Sequence, residues 1–255
     1  MIFQERLTNS TNKQFNNKKM KNLIIASTST VHNGIYLDYL LPTLKEHFKG
    51  VKTLLFVPYA RPGGISHEEY TSKVKSVFFQ IGIEVKGLHE FENPKEAIQK
   101  AEAIFTGGGN TFLLVYQLYK NEVMSTLIEV LKNGTPYLGT SAGSNITGLS
   151  MQTTNDMPII YPSSFKTLGV IPFNLNPHYL DPDSNSTHMG ETRETRIKEF
   201  HAFNTVPVLG LREGSWLEVK ADKIILKGDL TARWFTYNKE AAELEPETDL
   251  ATFFI

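Results

Sequence analysis

Cysteine is absent from all 255 residues, which excludes disulfides, thiolate metal sites and cysteine nucleophiles together. A reducing compartment suits such a chain, and a cytoplasmic location is expected. Charge of one sign is lacking too: 26 Lys and Arg stand against 27 Asp and Glu, a formal net charge of −1. That balance offers no strongly basic face, so no nucleic-acid partner is expected. No apolar run approaches the ~18 residues that span a bilayer, so no membrane partner is expected. In the first twenty residues, rich in Asn and Lys, the longest apolar run is Met1-Ile2-Phe3. Residues 1–20 therefore lack a secretory core segment and read as a disordered tail, or as sequence ahead of a start at Met20. Neither an internal repeat nor a Pro/Gly/Ser-rich linker divides the rest, and one domain over residues 21–255 is expected.

What is present is an alternation of apolar runs and helix-like stretches. Leu23–Ala26, Leu54–Val57, Ile83–Val85, Ala103–Phe105, Pro136–Gly139 and Val206–Leu209 read as buried strands. Continuous apolar strands are buried on both faces, the mark of a parallel sheet between helix layers. Leu113–Leu118 and Val123–Leu131 carry helical spacing, and Asn133-Gly134 supplies a stop. Trp216–Val219 and Lys223–Leu226, separated by Ala221-Asp222, read as a hairpin that Ala232–Thr236 could extend. The fold class is thus α/β, a doubly wound, mostly parallel sheet with a C-terminal antiparallel hairpin.

Gly139-Thr140-Ser141-Ala142-Gly143 follows a strand and precedes a helix-like stretch. A Gly-x-Ser-x-Gly elbow needs that context, because it holds its serine on a strained turn. The pattern arises by chance in roughly one chain in ten of this length, so it is weak alone. Gly107-Gly108-Gly109-Asn110 ends another strand. Its backbone N–H groups could cradle phosphate or form half of an oxyanion hole. The Lys-Ser/Thr of a P-loop and the dinucleotide spacing are missing, so the oxyanion role gains weight beside a serine elbow.

Ser141 needs a base, and only seven histidines exist. His32, His47, His67, His89 and His201 read as loop or helix surface, and His188 as part of a polar surface loop. His178, behind Asn174-Leu175-Asn176-Pro177, differs, because Pro177 fixes the local backbone. A third group should hold the imidazole tautomer. Asp156, among small hydroxyl and amide side chains, is the first candidate, and an Asx turn before Pro158 is its bland alternative. Glu213, behind the last central strand, is the competing acid.

The motifs taken together resemble a known family, the aspartyl dipeptidases called peptidase E. Those carrying the likeness are Val-Pro-Tyr-Ala at 57–60, Gly-Gly-Gly-Asn-Thr-Phe at 107–112, Gly-Thr-Ser-Ala-Gly-Ser-Asn at 139–145 and Thr-Thr-Asn-Asp-Met-Pro at 153–158. Asn-Pro-His-Tyr at 176–179, Gly-Glu-Thr-Arg-Glu at 190–194 and Leu-Arg-Glu-Gly-Ser-Trp at 211–216 complete the set. The resemblance implies a fold similar to class I glutamine amidotransferases, flavodoxin-like in its winding. It implies Ser141 as nucleophile, His178 as base and Asp156 as third member, with Glu213 second for that place or on the substrate side. It implies Arg193 as the residue that recognises the substrate's aspartate, no metal or cofactor, and cleavage of Asp-X dipeptides. The first twenty residues extend beyond the family's usual start, and Leu180–Met189 has its own composition.

The expected chemistry is acyl transfer, with the N–H groups of Ala142 and of Gly108 or Gly109 holding the oxyanion. The partner is then a small peptide, and a homodimer is left open. An α/β-hydrolase is disfavoured, since Ser141, Asp156 and His178 fall close together and a strand plus hairpin follow His178. Three alternatives stand beside the dipeptidase. A cyanophycinase-like enzyme would need an open groove for an aspartyl-arginine polymer. A catalytically silent amide-binding module would not need the Ser/His/acid set. A metal hydrolase has no His-Glu-x-x-His or ligand cluster to support it.

Overall fold

A computed structural model describes residues 20–182, 187 and 190–254. The expected tail over residues 1–20 lies, Met20 apart, outside the described residues, as do His188 and most of the Leu180–Met189 loop.

The strands are β1 (Asn22–Ala26), β2 (Thr53–Val57), β3 (Glu84–Gly87), β4 (Ala103–Thr106), β5 (Tyr137–Thr140), β6 (Asn174–Pro177), β7 (Val208–Leu211), β8 (Trp216–Lys220), β9 (Lys223–Lys227), β10 (Ala232–Phe235) and β11 (Ala242–Leu244). The helices are α1 (Leu41–His47), α2 (His67–Phe78), α3 (Pro94–Gln99), α4 (Thr111–Lys120), α5 (Met124–Lys132), α6 (Ala142–Asn145) and α7 (Arg193–His201). Their starts are written in the sequence. Ser66 and Glu69 form a capping box on α2, Asn110 caps α4 through Leu113 N–H, and Thr192 caps α7 through Thr195 N–H.

The larger sheet runs β3-β2-β4-β5-β1-β8-β9. Its first five strands are parallel, and the β8–β9 hairpin continues it antiparallel from β1. Side chains alternate between two cores, as a period of two requires. Leu23, Ile25, Leu55 and Val57 enter one core, while Ile24, Ala26, Leu54 and Phe56 enter the other. Each fully buried side chain of this size contributes about 1.5–3 kcal/mol, so both faces hold the sheet between its helices.

Two expectations are corrected. Ala232–Phe235 does not extend the hairpin: β10 pairs with β7 in a second, four-stranded sheet ordered β11-β10-β7-β6. That sheet also takes the strand expected at Val206–Leu209, which runs two residues later, and it includes β6, which is not among the strands expected from the apolar runs. β6 and β7 are parallel neighbours, with Pro177 opposite Leu211. Ser27, just past β1, joins the sheets. Its N–H donates to Ser215 O (3.0 Å) and its hydroxyl to Leu211 O (2.7 Å). The carboxyl ends of β4, β5, β6 and β7 thereby converge, in the crevice where open α/β sheets place their ligands.

Candidate active site

Ser141 follows β5 with φ 54° and ψ −113°, a conformation that costs a non-glycine residue about 1–3 kcal/mol. Its surroundings enforce it. Ser141 N–H donates to Ala26 O (3.2 Å), the Ser144 hydroxyl donates to the same oxygen (2.6 Å), and Tyr137 OH donates to Gly143 O (2.7 Å). A Cβ on Gly143 would lie 2.1 Å from Thr106 O, so the elbow glycine lets β4 and α6 approach. The other glycine motif sits beside it, because β4 and β5 are neighbours. A Cβ on Gly108 would lie 2.8 Å from Ser141 Cβ. Among the described residues, Gly108 N–H and Gly109 N–H donate to no acceptor, whereas Gly107 N–H donates to Val57 O (3.2 Å) and Asn110 N–H to Ala60 O (2.7 Å). As the first residue of α6, Ala142 has no intrahelical acceptor for its N–H either.

His178 comes from the end of β6, also at positive φ (55°). Its N–H donates to the Ser27 hydroxyl (2.9 Å), and Asn155 Nδ2 donates to Pro177 O (2.7 Å). The ring then spans two partners. Nε2 is 2.8 Å from Ser141 Oγ and Nδ1 is 2.6 Å from Glu213 Oε1. A carboxylate can only accept, so Nδ1 carries a proton and the neutral ring presents its Nε2 lone pair to the Ser141 hydroxyl.

The acid on His178 is therefore Glu213, against the expectation that Asp156 would hold it. The reason is the parallel pairing of β6 with β7, which brings the residues just past both strands together. Asp156 lines the same cleft from a different direction. Its Oδ2 accepts from Thr111 N–H (2.7 Å), Thr111 Oγ1 (2.6 Å) and Thr154 Oγ1 (3.0 Å), at the N-terminus of α4. A helix N-terminus favours a carboxylate there.

Arg193, the first residue of α7, is half-buried. Among the described residues its guanidinium makes no ion pair. Glu194, its neighbour, is occupied by Lys198 (2.8 Å) and Arg233 (3.5 Å). Burial pulls the Arg193 pKa below the ordinary guanidinium value, with Arg196 adding to the effect and Asp156 opposing it. Tyr39, whose hydroxyl donates to Thr28 O (2.7 Å), is pushed above the usual phenol value by burial and then by the Glu213 charge.

Sequence reasoning missed two supports. Ser27 was visible only as the residue behind the first strand. Arg212 was visible only as the neighbour of Glu213, yet its guanidinium grips Asp181 through two bonds (2.9 and 2.7 Å) and so ties the loop after His178 to the loop before Glu213. His47 and His201, expected on the surface, are buried against carbonyl oxygens of Tyr137 (3.1 Å) and Val206 (2.9 Å).

A strained serine, an imidazole and a carboxylate in one hydrogen-bonded chain, at the carboxyl ends of a parallel sheet, define a serine-type hydrolase. The sequence matches Peptidase family S51 over residues 23–227, and the chain belongs to that family of serine-type peptidases. It is 46% identical over 230 residues to Peptidase E of Streptomyces coelicolor, covering 90% of this chain and 93% of that protein. It is 45% identical over 238 residues to the Drosophila melanogaster protein named "Probable alpha-aspartyl dipeptidase", covering 92% and 98%. The crystal structure of a peptidase from an acI-B1 Actinobacterium shares the fold, with a TM-score of 0.67 at 18% identity over 91% of this chain and 97% of that one. Among the described residues, no helix is long and apolar enough to cross a membrane.

Proposed function

We propose that the chain hydrolyses dipeptides with an N-terminal aspartate through an acyl-enzyme on Ser141. The observation that carries this reading is the continuous Ser141–His178–Glu213 hydrogen-bonded chain, in a cleft also lined by Asp156, whose charge interacts with that of Arg193. His178 Nε2 takes the Ser141 proton as Oγ attacks the aspartyl carbonyl, and Glu213 holds the tautomer and stabilises the imidazolium. The N–H groups of Ala142 and of Gly108 or Gly109 receive the developing oxyanion. His178 then protonates the leaving amine, and water activated by the same imidazole releases aspartate. Arg193, half-buried and without an ion pair among the described residues, pairs with the side-chain carboxylate of the substrate. The names of the relatives from Streptomyces and Drosophila support the same substrate class. A cytoplasmic location, which a cysteine-free chain permits, completes the proposal.

The test is a panel of Asp-Leu, Asn-Leu, Glu-Leu and β-Asp-Leu with wild type and Arg193→Met. Asn-Leu leaves the guanidinium uncompensated, and Glu-Leu overshoots it by one methylene. Wild type is expected to favour Asp-Leu over both by at least about 100-fold, and Arg193→Met to erase that preference by slowing Asp-Leu. Equal rates on Asp-Leu and Asn-Leu would end the reading, and preference for β-Asp-Leu would turn it towards cyanophycinase-like chemistry.

A further inference from the structure

With His178 held by Glu213, the Asp156 carboxylate has no part in the relay, yet it lines the same cleft as Ser141, Ala142 and His178. Among the described residues lining that cleft it is the one carboxylate. Its two oxygens are used unequally. Oδ2 accepts all three hydrogen bonds, from Thr111 N–H, Thr111 Oγ1 and Thr154 Oγ1. Oδ1 accepts none from the described residues. Three donors fix the plane of the carboxylate and leave one oxygen to be satisfied by something else.

The substrate class proposed above carries a group that asks for such an oxygen. In an Asp-X dipeptide the α-ammonium is bonded to the carbon next to the attacked carbonyl. It must enter the cleft whenever that carbonyl reaches Ser141, and it loses hydration there. A desolvated ammonium needs an anion or several acceptors. Glu213 is engaged by His178 Nδ1 (2.6 Å), and Ser141 and His178 carry no fixed negative charge.

We propose that Asp156 is the anchor for the free α-ammonium of the substrate, and so the residue that restricts the enzyme to N-terminal aspartate. The inference rests on the aspartyl-dipeptidase reading and deepens it. Arg193 and Asp156 form a pair of subsites of opposite sign, near enough for their charges to interact. An N-terminal aspartyl residue is the complementary zwitterion: its β-carboxylate faces Arg193 and its ammonium faces Asp156 Oδ1. A blocked or internal aspartate offers only half of that match. Asp156 is a specificity-determining residue here and passes no proton to or from His178.

The experiment compares Asp-Leu with succinyl-Leu, the same molecule with hydrogen in place of the α-amino group, in wild type and Asp156→Asn. Wild type is expected to prefer Asp-Leu in kcat/KM by at least about 100-fold. Asp156→Asn lowers kcat/KM for Asp-Leu by a similar factor and for succinyl-Leu by less than about fivefold, so the preference collapses. The pH profile supplies a readout that a structural role would not move. With Asp-Leu, wild-type kcat/KM falls as the substrate amine deprotonates near pH ~8, and that limb is missing with succinyl-Leu and in the variant. An equal fall on both substrates would overturn the inference, since it would mean that Asp156 acts on the Thr111 turn or on His178. Should Asp156→Asn not fold, wild type alone decides, because equal rates on the two substrates overturn the anchor. A wild type active on Asp-Leu but indifferent to the amine refutes the anchor alone, whereas inactivity on every aspartyl substrate refutes the underlying reading with it.

Discussion

His178 Nδ1 lies 2.6 Å from Glu213 Oε1, although the two residues are 35 positions apart. The Pro177–Leu211 register of β6 and β7 accounts for it, because both residues stand just past the carboxyl ends of adjacent parallel strands. Removing the Glu213 charge while keeping its shape therefore acts on the imidazole. Glu213→Gln is expected to lower kcat by about 10³–10⁴-fold, as replacing the triad carboxylate by its amide does in serine proteases, by permitting the wrong His178 tautomer. The loss should be the same on Asp-Leu and succinyl-Leu. Near-normal kcat in Glu213→Gln, measured with both substrates, would remove Glu213 from the relay.

Gly108 tests the glycine motif without replacing a member of the relay. A Cβ there meets Ser141 Cβ at 2.8 Å, Thr140 O at 3.3 Å and Ser141 Oγ at 3.4 Å. The neighbour that must yield is the nucleophile, whose backbone is already strained. Gly108→Ala should drop kcat by about 10²-fold or more, because displacement of about 1 Å at a reacting atom carries that penalty. Thermal unfolding and the rate on Asp-Leu check it together. A stable variant with unchanged rate would show that β4 and β5 can separate at this point.

These two positions also mark what the sequence made legible. The elbow and the glycine run sit at the ends of β5 and β4, strands whose side chains are entirely buried, so continuous apolar runs located them. β6 was not legible. Asn174-Leu175-Asn176-Pro177 lacks the continuous apolar run that marks the other strands, and it is a buried strand only because Asn174 Nδ2 donates to Ser150 Oγ (3.0 Å) and Asn176 Nδ2 to Thr153 O (2.8 Å). Those partners are more than 20 residues away, and no local pattern announces them. With β6 unseen, the second sheet was unseen, and the pairing that selects Glu213 over Asp156 went with it. Both acids lie near strand ends or turns, and only the β6–β7 register decides between them.

His47 carries a pH dependence of stability. Burial lowers its pKa to about 4, partly offset by the bond between Nε2 and Tyr137 O (3.1 Å). The neutral ring donates that bond, and the buried Nδ1 has no hydrogen-bond partner among the described residues. A depressed folded pKa means that the neutral form is favoured. Its stabilisation is complete above the unfolded value of about 6.5 and is lost as pH falls towards 4. A shift of that size corresponds to roughly 3 kcal/mol. Urea midpoints of wild type should therefore fall between pH ~6.5 and ~4, and His47→Gln should flatten that part of the curve. Parallel curves would show that other groups set the acid limb.

Arg212 is the last test, and it separates stability from site geometry. Its guanidinium binds Asp181 through Nε (2.9 Å) and Nη2 (2.7 Å), Glu243 through Nη1 (3.0 Å) and Nη2 (3.1 Å), and Thr231 O through Nη1 (2.8 Å). Asp181 lies three residues past His178, and Arg212 immediately precedes Glu213, so this fork fixes the spacing of the relay from outside. The side chain is only 15% exposed, and its loss leaves two carboxylates without their shared cation. Arg212→Met should cost about 1–3 kcal/mol of stability, less than a fully buried pair because Asp181 and Glu243 reach solvent. It should also lower kcat by about 10-fold or more with a smaller change in KM, since His178 and Glu213 drift apart while Arg193 and Asp156 stay in place. Arg212→Lys keeps the charge but not the planar fork, so it should recover much of the stability and little of the kcat. The pH profile adds a sign. Arg212 is the main cause that holds the Glu243 carboxyl down at about 2. This contribution is present above the unfolded carboxyl value near 4.5 and is lost as pH falls towards 2. Denaturation between pH ~4.5 and ~2 should accordingly be steeper in wild type than in Arg212→Met. Equal acid slopes, or a lysine variant with full kcat, would show that the fork does not set the His178–Glu213 distance.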